Sequence, residues 1–381
     1  MFGIYIHWPF CLSKCPYCDF NSHVAKTINH ADWRNAYGKE LSYSATRTPD
    51  HLVSSIYFGG GTPSLMEPET VRFIIDEIQK NWRMANDVEI TLEANPTSIE
   101  QQKFRDFKEA GINRVSVGVQ ALNDKDLTFL GRQHNAFEAR KALDIAFETF
   151  EKVNFDLIYA RPHQTPQAWE AELRKALSLA KAGHLSLYQL TIEQGTAFET
   201  MYKRGDFSIP DEELGGELYE MTGQIAADFG LEPYEVSNYA RQGEESRHNL
   251  TYWRYEDYAG IGPGAHGRLT LNGQKFATRA HRAPQIWLEK VFKDGHGYHP
   301  DLPVSQEDRF VECLLMGLRL KEGIPVSKLE TEGGADWRAF LNEKKMEQLE
   351  RDGYLCLTDH HLSTSGAGRQ RLNKILQDIL K

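Results

Sequence analysis

Six short runs of β-branched and aromatic residues recur in the first half of the chain, and each is followed by an amphipathic helical pattern. The stretch PETVRFIIDEIQKNW, for example, places apolar residues at i, i+3 and i+4. Six strand–helix units in series predict a parallel sheet with right-handed crossovers. Because there are six units and not eight, we expect an α/β fold built as an open, partial (β/α)6 barrel. The runs are GIYIH (3–7), SSIYFGG (54–60), VEITLEANP (88–96), RVSVGVQ (114–120), KVNFDLIYARP (152–162) and HLSLYQLTIE (184–193).

Polar or glycine-rich segments follow or end five of these strands. A cysteine-containing loop follows the first strand, and GGGTPS (59–64) follows the second. Glu93 and Gln120 end the third and fourth strands, and Asp156 lies in the fifth. In parallel α/β folds, functional side chains collect at the C-terminal ends of the strands. We therefore expect one site at this rim of the barrel.

The strand–helix pattern stops near residue 230, so that residues 1–230 are expected to form the barrel domain. Residues 231–300 are rich in Gly, Pro and aromatic residues and predict a connecting segment associated with the barrel. Residues 301–381 contain helical patterns and one hairpin pattern, YLCLTDHHLSTSG. They predict a smaller α+β, winged-helix-like domain. Because this domain is not markedly basic, a structural cap is favoured over DNA binding.

The composition excludes some classes of function. A formal net charge of −10 disfavours general binding to nucleic acid. No apolar run is long enough to span a membrane, which leaves only peripheral membrane contact open. The N-terminus lacks the basic region of a signal peptide, and five cysteines in such a chain indicate a reducing compartment, so we expect a cytoplasmic protein. Cys313 and Cys356 stand alone in apolar surroundings and are expected in the core.

The stretch HWPFCLSKCPYCDF places Cys11, Cys15 and Cys18 in one loop with C-x3-C-x2-C spacing. One explanation is a zinc site completed by a distant ligand, with His7 and His23 as candidates. Structural zinc sites usually use paired C-x2-C elements, however, and no second pair occurs. An iron–sulfur cube has four irons, so three thiolates would leave one iron open to chelate a small molecule.

This spacing after a first strand, together with GGGTP, resembles the radical S-adenosylmethionine (SAM) superfamily. In that superfamily the amine and carboxylate of SAM chelate the open iron of a [4Fe–4S] cluster, and reduction cleaves SAM to a 5′-deoxyadenosyl radical. The resemblance implies a partial barrel of the radical SAM type, with Cys11, Cys15 and Cys18 as cluster ligands. It also implies a SAM site, whose expected residues are Tyr5, Tyr17, Gly60, Gly61, Thr62, Glu93, Gln120, Arg132 and Asp156.

The likeness is strongest to the coproporphyrinogen III oxidase-like branch, on YIHWPFC, CPYCDFNSH, GVQ, DLIYARP and IGPGAHG. One kind of protein in this branch is the oxygen-independent oxidase, which decarboxylates two propionates to vinyl groups. The other kind is the HemW haem chaperones, which hand haem to respiratory enzymes. Phe20 favours the chaperones, because the oxidase pattern has a fourth Cys at that position. The short segment before Cys11 favours them too, because the oxidase pattern has a long one.

The stretch HNLTYW (248–253) matches the HNxxYW motif associated with haem in those chaperones. The haem contacts that it implies are His248, Asn249, Tyr252 and Trp253. Imidazole is a common axial ligand of haem iron and aromatic rings suit a flat macrocycle, although the same His could simply be satisfied within a turn. His266 in GPGAHG is a rival iron ligand. Arg247 and Arg254 flank the motif and would neutralise propionates.

The expected function is a haem chaperone that binds a [4Fe–4S] cluster, SAM and haem as cargo, and transfers the haem to respiratory haem proteins. The alternatives are the oxygen-independent coproporphyrinogen III oxidase and a radical enzyme with another substrate. The sequence leaves open whether the protein is an enzyme, whether SAM is cleaved, and which protein accepts the haem. It also leaves open the haem stoichiometry and whether the chain forms a homodimer.

Overall fold

The computed structural model describes residues 1–25, 27–179 and 183–381, with residues 98–101 described by their backbone alone. Its strands are β1 Phe2–Trp8, β2 Phe10–Cys11, β3 His23–Val24, β4 Leu52–Gly60, β5 Arg83–Ala94, β6 Arg114–Gln120, β7 Lys152–Tyr159, β8 His184–Gln189, β9 Glu232–Pro233, β10 Asn238–Ala240, β11 Asp257–Ile261, β12 His266–Leu271, β13 Gln274–Arg279, β14 Leu302–Pro303, β15 Ile324–Pro325, β16 Leu355–Leu357 and β17 His361–Thr364. Its helices are α1 His30–Arg47, α2 Pro68–Asn81, α3 Ser98–Glu109, α4 Asp124–Phe129, α5 Ala136–Thr149, α6 Pro166–Leu179, α7 Ala197–Lys203, α8 Glu212–Asp228, α9 Arg247–Trp253, α10 Pro284–Asp294, α11 Gln306–Gly317, α12 Val326–Gly333, α13 Glu343–Arg351, α14 Gly366–Gln370 and α15 Leu372–Ile379.

Six parallel strands form the centre of the main sheet, in the order β1, β4, β5, β6, β7 and β8. At least one helix lies between each of these strands and the next, so the connections are the crossovers that six strand–helix units predict. The outer neighbours of β1 and β8 are β11 and β10, and therefore the six strands do not close on each other. The expected α/β fold with an open, partial barrel is confirmed.

The local sequence explains why these elements form. Helix α2 begins with Pro68 in its first turn and buries apolar side chains three and four residues apart, from Val71 to Ile78. Strand β1 is buried on both faces, as expected for a parallel strand covered by helices. Within the described residues, no helix is both long and apolar enough to cross a bilayer.

The segment 231–300 contributes strands to both edges of the central sheet. Strand β11 pairs parallel with β1 and continues antiparallel into β12 and β13, while β10 pairs antiparallel with β8. A Cβ on Gly260 would lie 1.9 Å from the carbonyl oxygen of His266, so glycine is required for β11 to approach β12 this closely. The sequence predicts only a connecting role here, because the glycine-rich stretch lacks the alternation that signals a strand.

The C-terminal residues form a smaller unit of helices and a three-stranded sheet, β15–β17–β16. It has its own apolar cluster, which includes Phe310, Trp337 and Ile379. This confirms the expected smaller domain of helices with a small sheet. Cys313 is buried as predicted, but the prediction for Cys356 is wrong, because its side chain is exposed. Strand β16 buries the preceding residue, and successive side chains of a strand point to opposite faces.

Glu40 on α1 is a buried carboxylate that joins α1 to two turns beside the sheet edge. Its oxygens accept hydrogen bonds from the backbone N–H of Gly262 (2.7 Å), the backbone N–H of Gly297 (2.7 Å) and Nε1 of Trp287 (3.0 Å). Burial raises the pKa of Glu40 to about 7, although these three donors favour the charged form. The position of the turn after β11 therefore depends on one interior acid.

Replacing Glu40 with Ala removes the acceptor of three buried donors and should lower the free energy of unfolding by about 2–4 kcal/mol. The Glu40→Gln variant keeps the shape without the charge. Because the folded-state pKa is raised, the stability that ionisation controls is present below pH 4.5 and is lost as the pH rises through about 7. Thermal unfolding near pH 5 and near pH 8 should show the Gln variant gaining stability relative to wild type at the higher pH, whereas a constant difference would contradict the assignment.

Candidate functional site

The three cysteines lie between β1 and β3, beyond the C-terminal end of β1: Cys11 ends the two-residue strand β2, and Cys15 and Cys18 follow it. Cys11 is buried, whereas Cys15 and Cys18 are partly exposed. The N–H of Cys18 donates to the carbonyl oxygen of Cys15 at 3.1 Å, so a tight turn joins the last two. The cysteines therefore stand at the rim of the sheet where the sequence predicts a site. This loop, residues 9–22, is called the cysteine loop below.

Two polar groups from neighbouring elements contact the cysteine sulfurs. Thr62 Oγ1 donates to Cys11 Sγ at 3.4 Å, and Arg132 Nη1 donates to Cys15 Sγ at 3.4 Å. A donor or a cation beside sulfur favours the thiolate, which is the form that binds metal. Burial raises the pKa of the Cys11 and Cys18 thiols, so metal binding at this loop would release protons.

The histidines that would complete a zinc site are bonded to other groups. His7 contacts the Tyr5 hydroxyl through Nδ1 (3.1 Å) and the Asn21 carbonyl oxygen through Nε2 (2.9 Å). His23 Nε2 contacts the Asn21 side chain at 3.3 Å. Within the described part of the chain, no three or more His, Cys, Asp or Glu side chains, the three cysteines included, converge on a point that a single metal ion could occupy. Three sulfur donors with their imidazole neighbours engaged elsewhere suit an iron–sulfur cluster better than zinc.

The GGGTP loop after β4 packs directly against the backbone of the cysteine loop. The N–H of Gly61 donates to the Trp8 carbonyl oxygen at 2.7 Å, and the N–H of Thr62 donates to the Phe10 carbonyl oxygen at 2.8 Å. A Cβ on Gly60 would lie 2.7 Å from the same Trp8 oxygen, and its φ of 115° is one that other residues rarely adopt. Glycine is required at this position because the two backbones touch.

Arg132, shortly after α4, connects the cysteine loop to two strands, β5 and β6, near their C-terminal ends. Its guanidinium donates to the Tyr17 hydroxyl (3.4 Å), to Oδ1 of Asn95 (2.5 Å) and to the carbonyl oxygen of Gly118 (2.8 Å). Asn95 also donates to Thr62 Oγ1 at 3.2 Å. The sequence did not identify Asn95, although its place directly after the third strand was the available signal.

Gln120 has two features of a residue shaped for a ligand. It adopts a left-handed conformation with φ of 71° at a register shift between β6 and β7, which costs a non-glycine residue about 1 kcal/mol or more. Its buried Oε1 and the buried Nε of Arg132 have no hydrogen-bond partner within the described residues. Buried polar atoms are normally paired, so these two favour a polar ligand beside the cysteine loop. The residues present thus fit a cluster with a polar nucleotide ligand such as SAM.

Two carboxylates complete this side of the rim. Glu93 accepts a hydrogen bond from the Tyr57 hydroxyl at 2.8 Å, and Asp156 accepts from Asn154 Nδ2 at 3.0 Å and from Ser116 Oγ at 3.4 Å. Burial raises the pKa of Glu93 to about 7 and that of Asp156 to about 6. A bound ammonium or sulfonium group would lower both pKa values, because an opposite charge favours the ionised form. The sequence did not identify the three hydrogen-bond donors.

Of the two tyrosines predicted for the SAM site, Tyr17 lies within the cysteine loop and Tyr5 lies on β1. Tyr17 packs near the Phe198 ring, with 6.2 Å between ring centroids, and its hydroxyl lies beside Arg132. Tyr5 lies on β1 beside His7. Burial raises the pKa of both hydroxyls, so both remain neutral at physiological pH.

A cavity of about 710 Å³ adjoins these residues. Tyr5, Gly60 and Glu93 line it on the side of the predicted SAM site, and Tyr252 and Trp253 of α9 also line it. One space therefore includes three of the residues predicted for SAM and two of the four predicted for haem.

The other two residues predicted for haem are bonded within the protein. His248 is 1% exposed, and its ring contacts Ser55 Oγ through Nδ1 (2.9 Å) and the Tyr252 hydroxyl through Nε2 (2.7 Å). Asn249 donates to the Tyr234 hydroxyl at 3.2 Å. Burial lowers the pKa of His248 to about 3, so its imidazole is neutral. In this arrangement both ring nitrogens are occupied, and His248 positions Tyr252.

The arginines that flank the HNLTYW motif do not line the cavity. Arg247 is paired with Asp87 at 2.7 Å, and Arg254 is paired with Glu322 at 2.7 Å. Other basic residues line the cavity instead. The sequence did not identify the arginines among them, although the stretch TRAHRA, which contains Arg279 and Arg282, was an available signal. These residues are His266, Arg268, Arg279 and Arg282.

Comparisons with known proteins agree with this arrangement. Residues 5–176 match the model of the Radical SAM superfamily, and residues 304–371 match that of the HemN C-terminal domain. The chain is 35% identical to a protein named heme chaperone HemW from Haemophilus influenzae, with 99% of this chain and 97% of that protein covered. It is 33% identical to the protein of that name from Escherichia coli, with coverage of 99% and 98%. It is 36% identical to the mitochondrial radical S-adenosyl methionine domain-containing protein 1 of Mus musculus, with coverage of 99% and 87%.

The solved structure of coproporphyrinogen III oxidase (HemN) from Escherichia coli has the same fold. The TM-score is 0.80, and 99% of this chain and 89% of that chain are covered. Sequence identity is only 21%, so this likeness supports the architecture and not the activity.

Replacing Cys15 with Ser should prevent assembly of an iron–sulfur cluster, because a hydroxyl is a poor substitute for a thiolate ligand of iron. Anaerobically reconstituted wild type should contain about four iron and four sulfide per chain and show broad visible absorption. Cys356→Ser is the matched control, because that thiol is exposed in the C-terminal sheet. Full iron and sulfide content in the Cys15 variant would contradict the ligand assignment.

Proposed function

Because the chain belongs to the HemW family of the radical SAM superfamily, we propose that it is a haem chaperone. In this proposal it binds haem as cargo beside a [4Fe–4S] cluster with SAM, and transfers the haem to respiratory haem proteins. The observation that carries the proposal is the cavity of about 710 Å³, which predicted SAM-site residues and two aromatic residues of HNLTYW line together. Its volume falls within the range of roughly 300–1,000 Å³ that small-molecule sites occupy.

In the cofactor half of this site, Cys11, Cys15 and Cys18 hold the cluster. When bound, the cluster supplies an open iron for the amine and carboxylate of SAM, and an electron for reductive cleavage. The backbone of Gly60 and Gly61, with Thr62, faces the cysteine loop and receives the SAM amino group. What supports this role is the position of the loop beside Cys11, where the Thr62 N–H donates to the Phe10 carbonyl oxygen at 2.8 Å.

The side chains around the cluster orient SAM and neutralise its charges. Arg132 binds the SAM carboxylate, because its guanidinium lies beside Cys15 and has an unpartnered Nε. Gln120 donates or accepts through its amide, and Glu93 and Asp156 accept from the ribose hydroxyls or the ammonium. Tyr5 bonds the same ligand from β1. The placement of Tyr17 between Arg132 and an aromatic neighbour suits packing near the adenine.

In the haem half of the site, Tyr252 and Trp253 contact the macrocycle. Both line the cavity, and aromatic side chains pack well on a flat apolar ring. His248 and Asn249 lie on the same helix but do not line the cavity: His248 holds the Tyr252 hydroxyl, and Asn249 holds the helix to Tyr234. In the proposed haem site, Tyr252 and Trp253 therefore contact the haem, and His248 and Asn249 position them.

Phe20 favours cargo binding over decarboxylation. It occupies the position of a fourth Cys in the oxidase pattern, and its side chain is 58% exposed while lining the cavity. An exposed phenylalanine at the edge of a cavity provides apolar contact for a bound ring and supplies no ligand or proton. The chaperone reading is therefore preferred to coproporphyrinogen III oxidase.

The proposed partners are haem and haem-accepting respiratory proteins, and no nucleic acid. No disulfide joins any of the five cysteines, three of which are the proposed cluster ligands, and we propose the cytoplasm. Relatives from animals and from Dictyostelium discoideum are named as mitochondrial proteins. The proposal leaves open whether the protein contacts a membrane peripherally and whether it forms a homodimer when it delivers haem.

A haem titration tests the proposal. Reconstituted wild type should bind ferric haem saturably, and Trp253→Ala should weaken the affinity roughly tenfold, because about 1.4 kcal/mol of aromatic contact is lost. Phe137→Ala is the matched control, since that side chain is 76% exposed and outside the cavity. Absence of saturable binding to wild type would end the chaperone proposal.

An anaerobic assay separates the chaperone from the oxidase. Reconstituted protein with reductant, SAM and coproporphyrinogen III should form no protoporphyrinogen, because Phe20 supplies no fourth thiol. An active oxidase from the same branch serves as the positive control. Turnover of coproporphyrinogen III by this chain would replace the chaperone proposal with the oxidase.

A further inference from the structure

Part of the cavity wall is basic. His266, Arg268, Arg279 and Arg282 line it, and they come from β12, β13 and the turn before α10. His266 and Arg279 are directly opposite each other in the β12–β13 ladder, so their side chains project from the same face of the ribbon. A net charge of −10 makes this concentration of cations unusual for the chain.

The arginines on this wall differ in whether their charge is already neutralised. Arg268 forms a bidentate ion pair with Glu312, through Nε (2.8 Å) and Nη2 (2.7 Å). Arg279 and Arg282 are exposed, and neither forms an ion pair within the part of the chain that the structure describes. Two unpaired guanidinium groups at one cavity are suited to a ligand with two carboxylates, since each guanidinium can bind a carboxylate through parallel hydrogen bonds.

His266 is the cavity histidine whose ring remains available. The other histidine that lines the cavity, His7, uses both ring nitrogens, as does His248 behind it. Within the described residues, the ring of His266 makes no hydrogen bond, and the side chain is exposed to the cavity. Its backbone is held in place, because β12 packs against Gly260 with no room for a Cβ. The imidazole is therefore free to bind a metal from a fixed strand.

We propose that His266 is the axial ligand of the haem iron and that Arg279 and Arg282 bind its two propionates. This assignment rests on the proposed haem chaperone function and specifies how the cargo sits. A planar iron complex with two carboxylates matches an imidazole and two free guanidinium groups on one wall, with Trp253 and Tyr252 on the α9 side. His248 then has a positioning role, through its contact with the Tyr252 hydroxyl.

The same wall is attached to the cysteine loop. Asn21 Nδ2 donates to the carbonyl oxygens of Pro263 (2.9 Å) and Arg282 (3.0 Å). Through these bonds the loop that carries the cysteines also fixes the backbone that carries one propionate ligand.

The test of the axial ligand is a ferric haem titration of full-length reconstituted protein followed by the Soret spectrum. His266→Ala should lower the affinity about tenfold and change the Soret position, and added imidazole should restore the wild-type spectrum. His281→Ala, a nearby histidine outside the cavity, should match wild type. His248→Ala should retain the wild-type Soret position. Cluster content shows that each variant is folded.

The test of the propionate ligands uses haem dimethyl ester as the second probe. Wild type should prefer haem over the ester about tenfold, and Arg279→Glu with Arg282→Glu should abolish this preference. Arg241→Glu, an exposed arginine elsewhere, should keep it. An unchanged Soret spectrum and affinity in His266→Ala, or equal binding of haem and ester by wild type, would overturn the assignment. Failure of wild type to bind haem at all would instead overturn the proposed function.

Discussion

The site depends on a direct backbone contact between the cysteine loop and the GGGTP loop. The N–H of Thr62 donates to the carbonyl oxygen of Phe10 in the cysteine loop at 2.8 Å, and the N–H of Gly61 donates to that of Trp8, directly before the loop, at 2.7 Å. A Cβ on Gly60 or Gly61 would lie 2.7 Å from one of these two oxygens. Since a Cβ at position 60 or 61 would clash, glycine is required at both positions, and the contact fixes the first cysteine relative to the parallel sheet. The other residues predicted to bind SAM lie on the neighbouring strands of the same sheet, so the contact also sets their positions relative to the cysteines.

The cysteine loop is joined to the rest of the molecule on two sides. On one side, Arg132 contacts Cys15, and Asn95 links Arg132 to Thr62, which brings the ends of three strands to the predicted SAM site. On the other side, Asn21 bonds the turn after β11, and Glu40 holds that turn from α1. A change at the cluster therefore has a short route through hydrogen bonds to the cavity wall. These two sets of contacts place the predicted SAM site and the proposed haem cavity on either side of one loop.

The sequence predicted the central sheet because each strand–helix unit is a local pattern, and it predicted the three-cysteine loop because the spacing is contiguous. It did not predict that β11 to β13 extend the sheet, since glycine-rich strands lack alternation and their pairing with β1 links residues over 200 positions apart. For the same reason the sequence did not identify Asn95, Tyr57 or the arginines of the cavity wall. Their roles depend on contacts with residues that are distant in the sequence. Cys356 was misjudged because apolar neighbours in sequence do not determine which face of an edge strand is buried.

In the proposed site, three cysteines leave one iron of a cube open to SAM, beside the cavity that is proposed to receive haem. Electron paramagnetic resonance of the reduced, reconstituted protein tests it most directly, because chelation of the open iron changes the electronic environment of the cluster. Saturating SAM should shift the signal of the reduced cluster, and S-adenosylhomocysteine, which lacks the sulfonium charge, should be recorded beside it as a reference. If SAM left this signal unchanged, it would not chelate the cluster. If the reconstituted protein contained zinc and no inorganic sulfide, there would be no cluster to chelate. Either result would contradict the proposed site.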